Sequence, residues 1–219
     1  MTRQAEHGKQ GAAGGAQAVV VDTFSVSYFQ SISSGTWVDV QAGPVLSGER
    51  DVELAVLSNP FSQYLDVDIP GSGALIVDNG FQVKSTVTLQ YDGKDEVGNT
   101  GSGKTLTNTS SGTALVGGTD NVLRLHWFGN DLDVDVTLKL WKNGVLVTNA
   151  TQTRLAGSGA GTMDFIDANV ASADNVTLVF AGVPSADFAL AKIETVPEPA
   201  TLAALLMGAG AMAARRRKR

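Results

Sequence analysis

The chain has 219 residues, 43% of them hydrophobic, and a formal net charge of −6, enough for one sizeable core and at most a small appendage. It contains no cysteine, which excludes a disulfide framework, a thiolate metal site and a cysteine nucleophile. Residues 19–199 carry 9 Lys/Arg against 21 Asp/Glu, a balance of −12, before five bases close the chain; such an acidic body repels nucleic acid, and no nucleic-acid partner is expected.

Residues 1–18 are polar, rich in Gly and Ala and without periodicity, and read as disordered or as the remnant of a leader. Ala16-Gln17-Ala18 resembles a leader cleavage site, although the GKQGAAGG ahead of it is not an apolar stretch. From Val19 the pattern becomes β. VVVDTFSVSYF, TWVDVQ, DVELAVL, ALIV, FQVKSTVTLQY, NVLRLHW, LDVDVTLKLW, VLVTN, NVTLVF and FALAKI are β-branched and aromatic runs, many alternating apolar with polar, and predict about ten strands. Asp78-Asn79-Gly80 and Asn143-Gly144 each predict a tight hairpin between neighbouring strands, because Asn-Gly accepts the positive φ angles of a type I′ turn. Antiparallel strands in a chain of this size bury their apolar faces as two packed sheets. The expected fold is therefore all-β, an antiparallel β-sandwich of jelly-roll or immunoglobulin-like type over residues 19–194.

GNTGSGKT, residues 98–105, has the spacing of a phosphate-binding loop. Such a loop needs a buried strand before it and a helix after it, whose N-terminal N–H groups help hold the anion. Here an alternating strand and a charged turn precede it, and LTNTSSGTALVGG follows, which cannot sustain a helix. The stretch reads as a solvated loop, and no nucleotide partner is expected.

Asp131, Asp133 and Asp135 open like a calcium loop, but Val136 and Lys142 stand where that loop needs Gly and Glu. Alternation instead puts the three carboxylates on the wet face of one strand, with a surface calcium site joined by Asp66 and Asp68 as the alternative. Of two histidines, His7 lies in the polar start and His126 faces solvent from a strand; neither has a recognisable nucleophile motif beside it. A carboxylate pair for glycoside cleavage is defined by a separation in space, which residue order does not give. No catalytic residue, metal site or cofactor is assigned. Trp37, Trp127, Trp141, Tyr28, Tyr64 and Tyr91 read as packing residues, with a sugar-stacking platform as the alternative.

Residues 195–219 differ from everything before them. Pro197-Glu198-Pro199 precedes an uncharged apolar stretch, Ala200 to Ala214, and then Arg215, Arg216, Arg217, Lys218 and Arg219. The apolar stretch reads as a short transmembrane helix held by its basic end on the cytoplasmic side. Its 15 residues span about 22 Å against a hydrocarbon core of about 30 Å, so snorkelling and local thinning must help. A packed soluble helix would need a polar face. The order of Pro-Glu-Pro, apolar stretch and arginine-rich end strongly resembles the PEP-CTERM sorting signal of Gram-negative bacteria, and SGERDVELAV and LQYDG are similar to stretches in the β-rich bodies of such proteins. The resemblance implies export, passage through the inner membrane, recognition by an exosortase near Pro197 to Pro199, removal of the tail and delivery to the cell surface or extracellular matrix. The chain is thus expected to be an exported, non-enzymatic β-sandwich with a structural or adhesive role. The alternatives are an exopolysaccharide-binding module, with or without the assistance of calcium, and a hydrolase whose site the sequence does not reveal.

Overall fold

Alternation of apolar and polar residues does commit the chain to strands. The computed structural model describes residues 18–93, 100–106 and 120–197, and these contain fourteen strands. In chain order they are β1 (Val19–Asp22), β2 (Tyr28–Ile32), β3 (Gly35–Ala42), β4 (Glu49–Ser58), β5 (Leu65–Ile69), β6 (Leu75–Asn79) and β7 (Lys84–Tyr91). There follow β8 (Gly101–Ser102), β9 (Asp120–Asn130), β10 (Val134–Lys142), β11 (Val145–Arg154), β12 (Gly161–Ile166), β13 (Asn175–Gly182) and β14 (Phe188–Pro197). One sheet runs β12-β9-β14-β6-β5-β2, with β1 added beside β14, and the other runs β11-β10-β13-β7-β4-β3-β8. The pairings are antiparallel throughout, and the expected antiparallel sandwich is what the chain forms.

The period of two builds the core. Leu138, Leu178, Leu89 and Val52 face one another in register across four strands, and all are fully buried. Trp127 of the opposite sheet lies with its ring centroid 6.2 Å from that of Phe180 and 5.7 Å from that of Phe188, stitching the two layers together. Truncating any such side chain to Ala costs about 2–5 kcal/mol, because the cavity left behind collapses only in part.

One polar knot crosses this core. Arg50 of β4 and Asp22 of β1 form an ion pair at 2.8 Å with neither side chain exposed. Gln41 accepts from the guanidinium, Tyr91 donates its phenol to Asp22 at 2.9 Å, and the Phe24 N–H donates to the other Asp22 oxygen at 2.7 Å. Two charges taken out of water are tolerated only when geometry and extra hydrogen bonds replace hydration, and here both conditions are met. The two stretches SGERDVELAV and LQYDG meet at this point through Arg50 and Tyr91.

Asn143 and Gly144 both have positive φ, 52° and 73°, and join β10 to β11 as the expected hairpin. Asp78-Asn79-Gly80 does not form the second one: β6 and β7 lie in different sheets. Asn79 stays in its ladder opposite Leu65, its side chain bonds the Ala186 carbonyl and the Ser85 hydroxyl, and the positive φ falls on Gln82 at 61°. Gly80 serves close approach instead, since a Cβ there would lie 2.8 Å from that of Gln63. The run from Val19 to Phe29 also breaks, at Phe24, which takes φ 53° under the Asp22 carboxylate.

The sandwich has two unlike ends. Antiparallel register places Val19, Pro197 and the Asn143-Gly144 turn at one end, and the connections 59–64, 80–83, 131–133 and 183–187 at the other. Residues 1–17 and 198–219, and with them Glu198, Pro199, the apolar stretch and Arg215 to Arg219, lie outside the described residues. Among the described residues no helix is long and apolar enough to cross a membrane.

Candidate functional site

A polar groove crosses the outer face of the second sheet. If Leu138, Leu178, Leu89 and Val52 point inward, their strand neighbours must point outward. Register therefore aligns Lys139, Thr177, Gln90 and Asp51 in one row and Thr137, Val179, Thr88 and Glu53 in the next. Thr88, Gln90 and Thr177 are nonetheless 8%, 4% and 6% exposed, more buried than an open sheet face allows. Thr105 and Leu106 cross over them, and the Leu106 N–H donates to Glu53 at 2.8 Å. The space left is a groove of about 280 Å³ between these residues, Lys139 and half-buried Trp141. Its floor is knitted by Gln90 donating to Asp92 at 2.6 Å and Thr177 to Asn175 at 2.9 Å. Hydroxyls, amides, an ammonium, a carboxylate and one indole suit hydrogen bonding and stacking with a polyhydroxylated ligand.

Gly101-Ser102, read in sequence as part of a solvated loop, form the edge strand β8 against Trp37 and Val38. The Gly103 N–H donates to Thr36 O at 2.8 Å. A backbone donor that a phosphate would need is thereby spent on the sheet, and the residues described after it, Lys104 to Leu106, are not helical.

The three aspartates separate. Only Asp135 lies in β10; Asp131 and Asp133 precede it in the turn, so they do not share one strand face. Asp131 accepts from the N–H groups of Leu132 and Asp187, each at 2.7 Å, Asp133 from Ala156 at 2.6 Å and Asp135 from Thr153 at 2.6 Å. Asp66 and Asp68 sit in β5 of the other sheet. Among the described residues no group of three or more His, Asp and Glu side chains is arranged to hold a metal ion. Asp78, Asp131 and Asp187 do share a cavity of about 350 Å³. Burial, reinforced by the charges of Asp78 and Asp131, pushes the Asp187 carboxyl up despite the Asn79 N–H bond.

His126 faces outward from β9, as expected, but is paired: its Nε2 lies 2.8 Å from Glu194. Beside it Arg124 grips Asp164 with two bonds of 2.7 Å. Burial pushes Glu194 up, yet its bonds to Lys192 and His126 outweigh this and hold it below the ordinary carboxylate range.

Of the six residues considered for a stacking platform, Tyr28, Tyr91 and Trp127 are buried and Trp37 packs on the core. Trp141 borders the groove, and Tyr64 is 57% exposed. Sequence reading missed the aromatics that join Tyr64. Phe61 and Phe81 are 55% and 64% exposed, with centroids 5.5 Å apart, and the Tyr64 carbonyl accepts from Gly80 at 2.9 Å. The two loops are built alike. In each an Asn pins the turn through its side chain, Phe follows two residues later, and the next residue has positive φ: Ser62 at 54° and Gln82 at 61°. The paired signals Asn59-Pro60-Phe61 and Asn79-Gly80-Phe81 could have marked them.

The PEP-CTERM protein-sorting motif is matched over residues 195–219, so it begins inside β14. No curated protein matches the sequence. The chain is similar to the enzymatically active domain of tailspike protein 4 of bacteriophage CBA120, with 8% identity over 79% of this chain and a TM-score of 0.37, but it spans only 20% of that chain. It is similar also to TmCBM61 in complex with β-1,4-galactotriose (8% identity, 74% of this chain, 88% of that chain, TM-score 0.35). A third is the family 11 carbohydrate-binding module of the Clostridium thermocellum cellulosomal cellulase Lic26A-Cel5E (10% identity, 84% of this chain, 97% of that chain, TM-score 0.39).

Proposed function

We propose that this chain, which carries the PEP-CTERM sorting motif, is an exported protein that an exosortase frees from a transient inner-membrane anchor and that serves at the cell surface or in the extracellular matrix as a non-enzymatic structural or adhesive component. The observation that carries the reading is the run of Pro197-Glu198-Pro199, apolar residues and Arg215 to Arg219 directly after an all-β body. Five cationic side chains resist transfer through hydrocarbon while the apolar stretch favours it, so insertion leaves the bases in the cytoplasm and the sandwich outside. The test uses a host with an exosortase and a working leader. Wild-type protein loses its tail and reaches the surface fraction, whereas the triple variant Pro197→Ala/Glu198→Ala/Pro199→Ala accumulates full-length in the membrane. Wild-type and variant chains processed alike would refute it.

A second reading, that the body binds extracellular polysaccharide, draws on the exposed Phe61, Tyr64 and Phe81 at the end of the sandwich opposite Pro197. An anchored chain would hold these rings toward the matrix. Stacking on an aromatic face is the usual way a protein holds the apolar side of a flat ligand. In titrations against matrix polysaccharide, Phe61→Ala/Phe81→Ala abolishes binding if the tip is the site and Trp141→Ala does so if the groove is. Unchanged affinity in both variants sinks the reading, and shortening of the polymer by wild-type protein would contradict the non-enzymatic role.

A further inference from the structure

The sorting motif begins at residue 195, but the sandwich has not ended there. Thr195 pairs with Leu123 on one side and with Val19 on the other, Val196 pairs with Val122, and Pro197 pairs with Asp120. Thr195 is fully buried; its hydroxyl donates to the buried Asp120 carboxylate and accepts from the Val19 N–H at 3.3 Å. The first three residues of the matched motif are thus part of the folded body.

A protease takes its substrate as an extended segment, often by adding it as a strand. Thr195, paired along both edges, and Val196 and Pro197, paired along one, cannot enter such a cleft until they detach from β9. Detaching β14 at Thr195 would strip the buried Asp120 carboxylate of its hydroxyl donor, and a buried polar group without a partner is strongly disfavoured.

We propose that the folded sandwich fixes where the tail is removed: the bond that is cut lies on the C-terminal side of Pro197, and the released body keeps Thr195, Val196 and Pro197 as the end of β14. The inference rests on reading the tail as an exosortase signal. In the step itself water adds across one peptide bond after Pro197, leaving the new carboxyl on the body and the new amine on the tail.

Two experiments on the full chain test it. The first treats detergent-solubilised protein with a broad-specificity protease and reads the C-terminus of the resistant core by mass spectrometry. The core is expected to end at Pro197 or later in native buffer, and cuts between Phe188 and Val196 are expected only in denaturant; native cuts in that interval overturn the shielding. The second reads the C-terminal peptide of the body released in the exosortase host. An end at Pro197 or beyond supports the proposal, and Thr195→Gly, which loosens the strand, should spread the ends toward Lys192. A wild-type end at Val196 or earlier overturns the proposal while leaving the sorting reading intact. A released body with its tail uncut refutes the sorting reading, and the proposal with it.

Discussion

Two arginine–carboxylate pairs occupy opposite environments in this molecule. Arg50 and Asp22 meet at 2.8 Å in the core with no exposure on either side, and Arg124 and Asp164 meet at 2.7 Å on the outer sheet face with 32% exposure each. Almost identical contacts thus carry different thermodynamic weight. At the surface, water offers both partners an alternative and screens their attraction, so little depends on the bond. In the core no alternative exists, and losing one partner strands the other.

The largest effect expected from this contrast is at Asp22. Asp22→Ala leaves Arg50 charged and buried, and should lower the unfolding free energy by about 3–5 kcal/mol in denaturant titration. A loss under about 1 kcal/mol would mean that water reaches the guanidinium. Next comes high pH. Burial, then the charge of Asp22, push the Tyr91 phenol well above its ordinary value, with Arg50 opposing. The unfolded chain therefore releases this proton first, from about pH 10, and the stability Tyr91 confers is full below that value and lost as pH rises toward the folded pKa. Tyr91→Phe should cost about 1 kcal/mol at neutral pH and flatten the alkaline fall; an unchanged alkaline slope would remove Tyr91 as its cause.

A smaller effect is expected at the surface pair. The Arg124 bonds hold Asp164 below the ordinary carboxylate range even though burial pushes it up. Its contribution is present above the unfolded pKa of about 4 and lost as pH falls through the lowered folded value. Arg124→Ala should cost about 0–1 kcal/mol, less in high salt, and a cost matching that at Asp22 would erase the contrast. The smallest effect is none: Lys104→Ala should leave stability unchanged, and Mg-ATP should not shift the melting temperature of wild-type protein, because a ligand stabilises only what it binds.

The sandwich was legible because inward and outward residues alternate. The runs that became β7, β9, β10, β13 and β14 show this period plainly, and the Asn143-Gly144 turn obeyed its local chemistry. Three strands escaped notice for different reasons. In β5 the alternating acids of LDVDI drew attention as ligands, β8 is two residues inside a Gly/Ser-rich loop, and β12 is short and follows Gly157-Ser158-Gly159. Asp78-Asn79-Gly80 misled because a turn signal says nothing about which sheet receives the next strand; the contacts to Ala186 and Ser85 decided that. The groove was illegible for the same reason, since its row of outward polar residues is assembled from β4, β7, β10 and β13 by register alone. Arg50 looked like any surface base beside Glu49 and Asp51. Its burial depends on Asp22, a partner 28 positions away.

The pairing of β1 with β14 joins residues 176 positions apart. Chains whose contacts close over long separations fold slowly, because the entropy of closing the loop is lost before the contact can form. Here the first strand cannot find its seat until the last one has left the ribosome. The sheet that β1 and β14 share therefore stays open until the end of the body has been made, whereas every strand of the opposite sheet precedes Val183, so the two layers are completed in a fixed order.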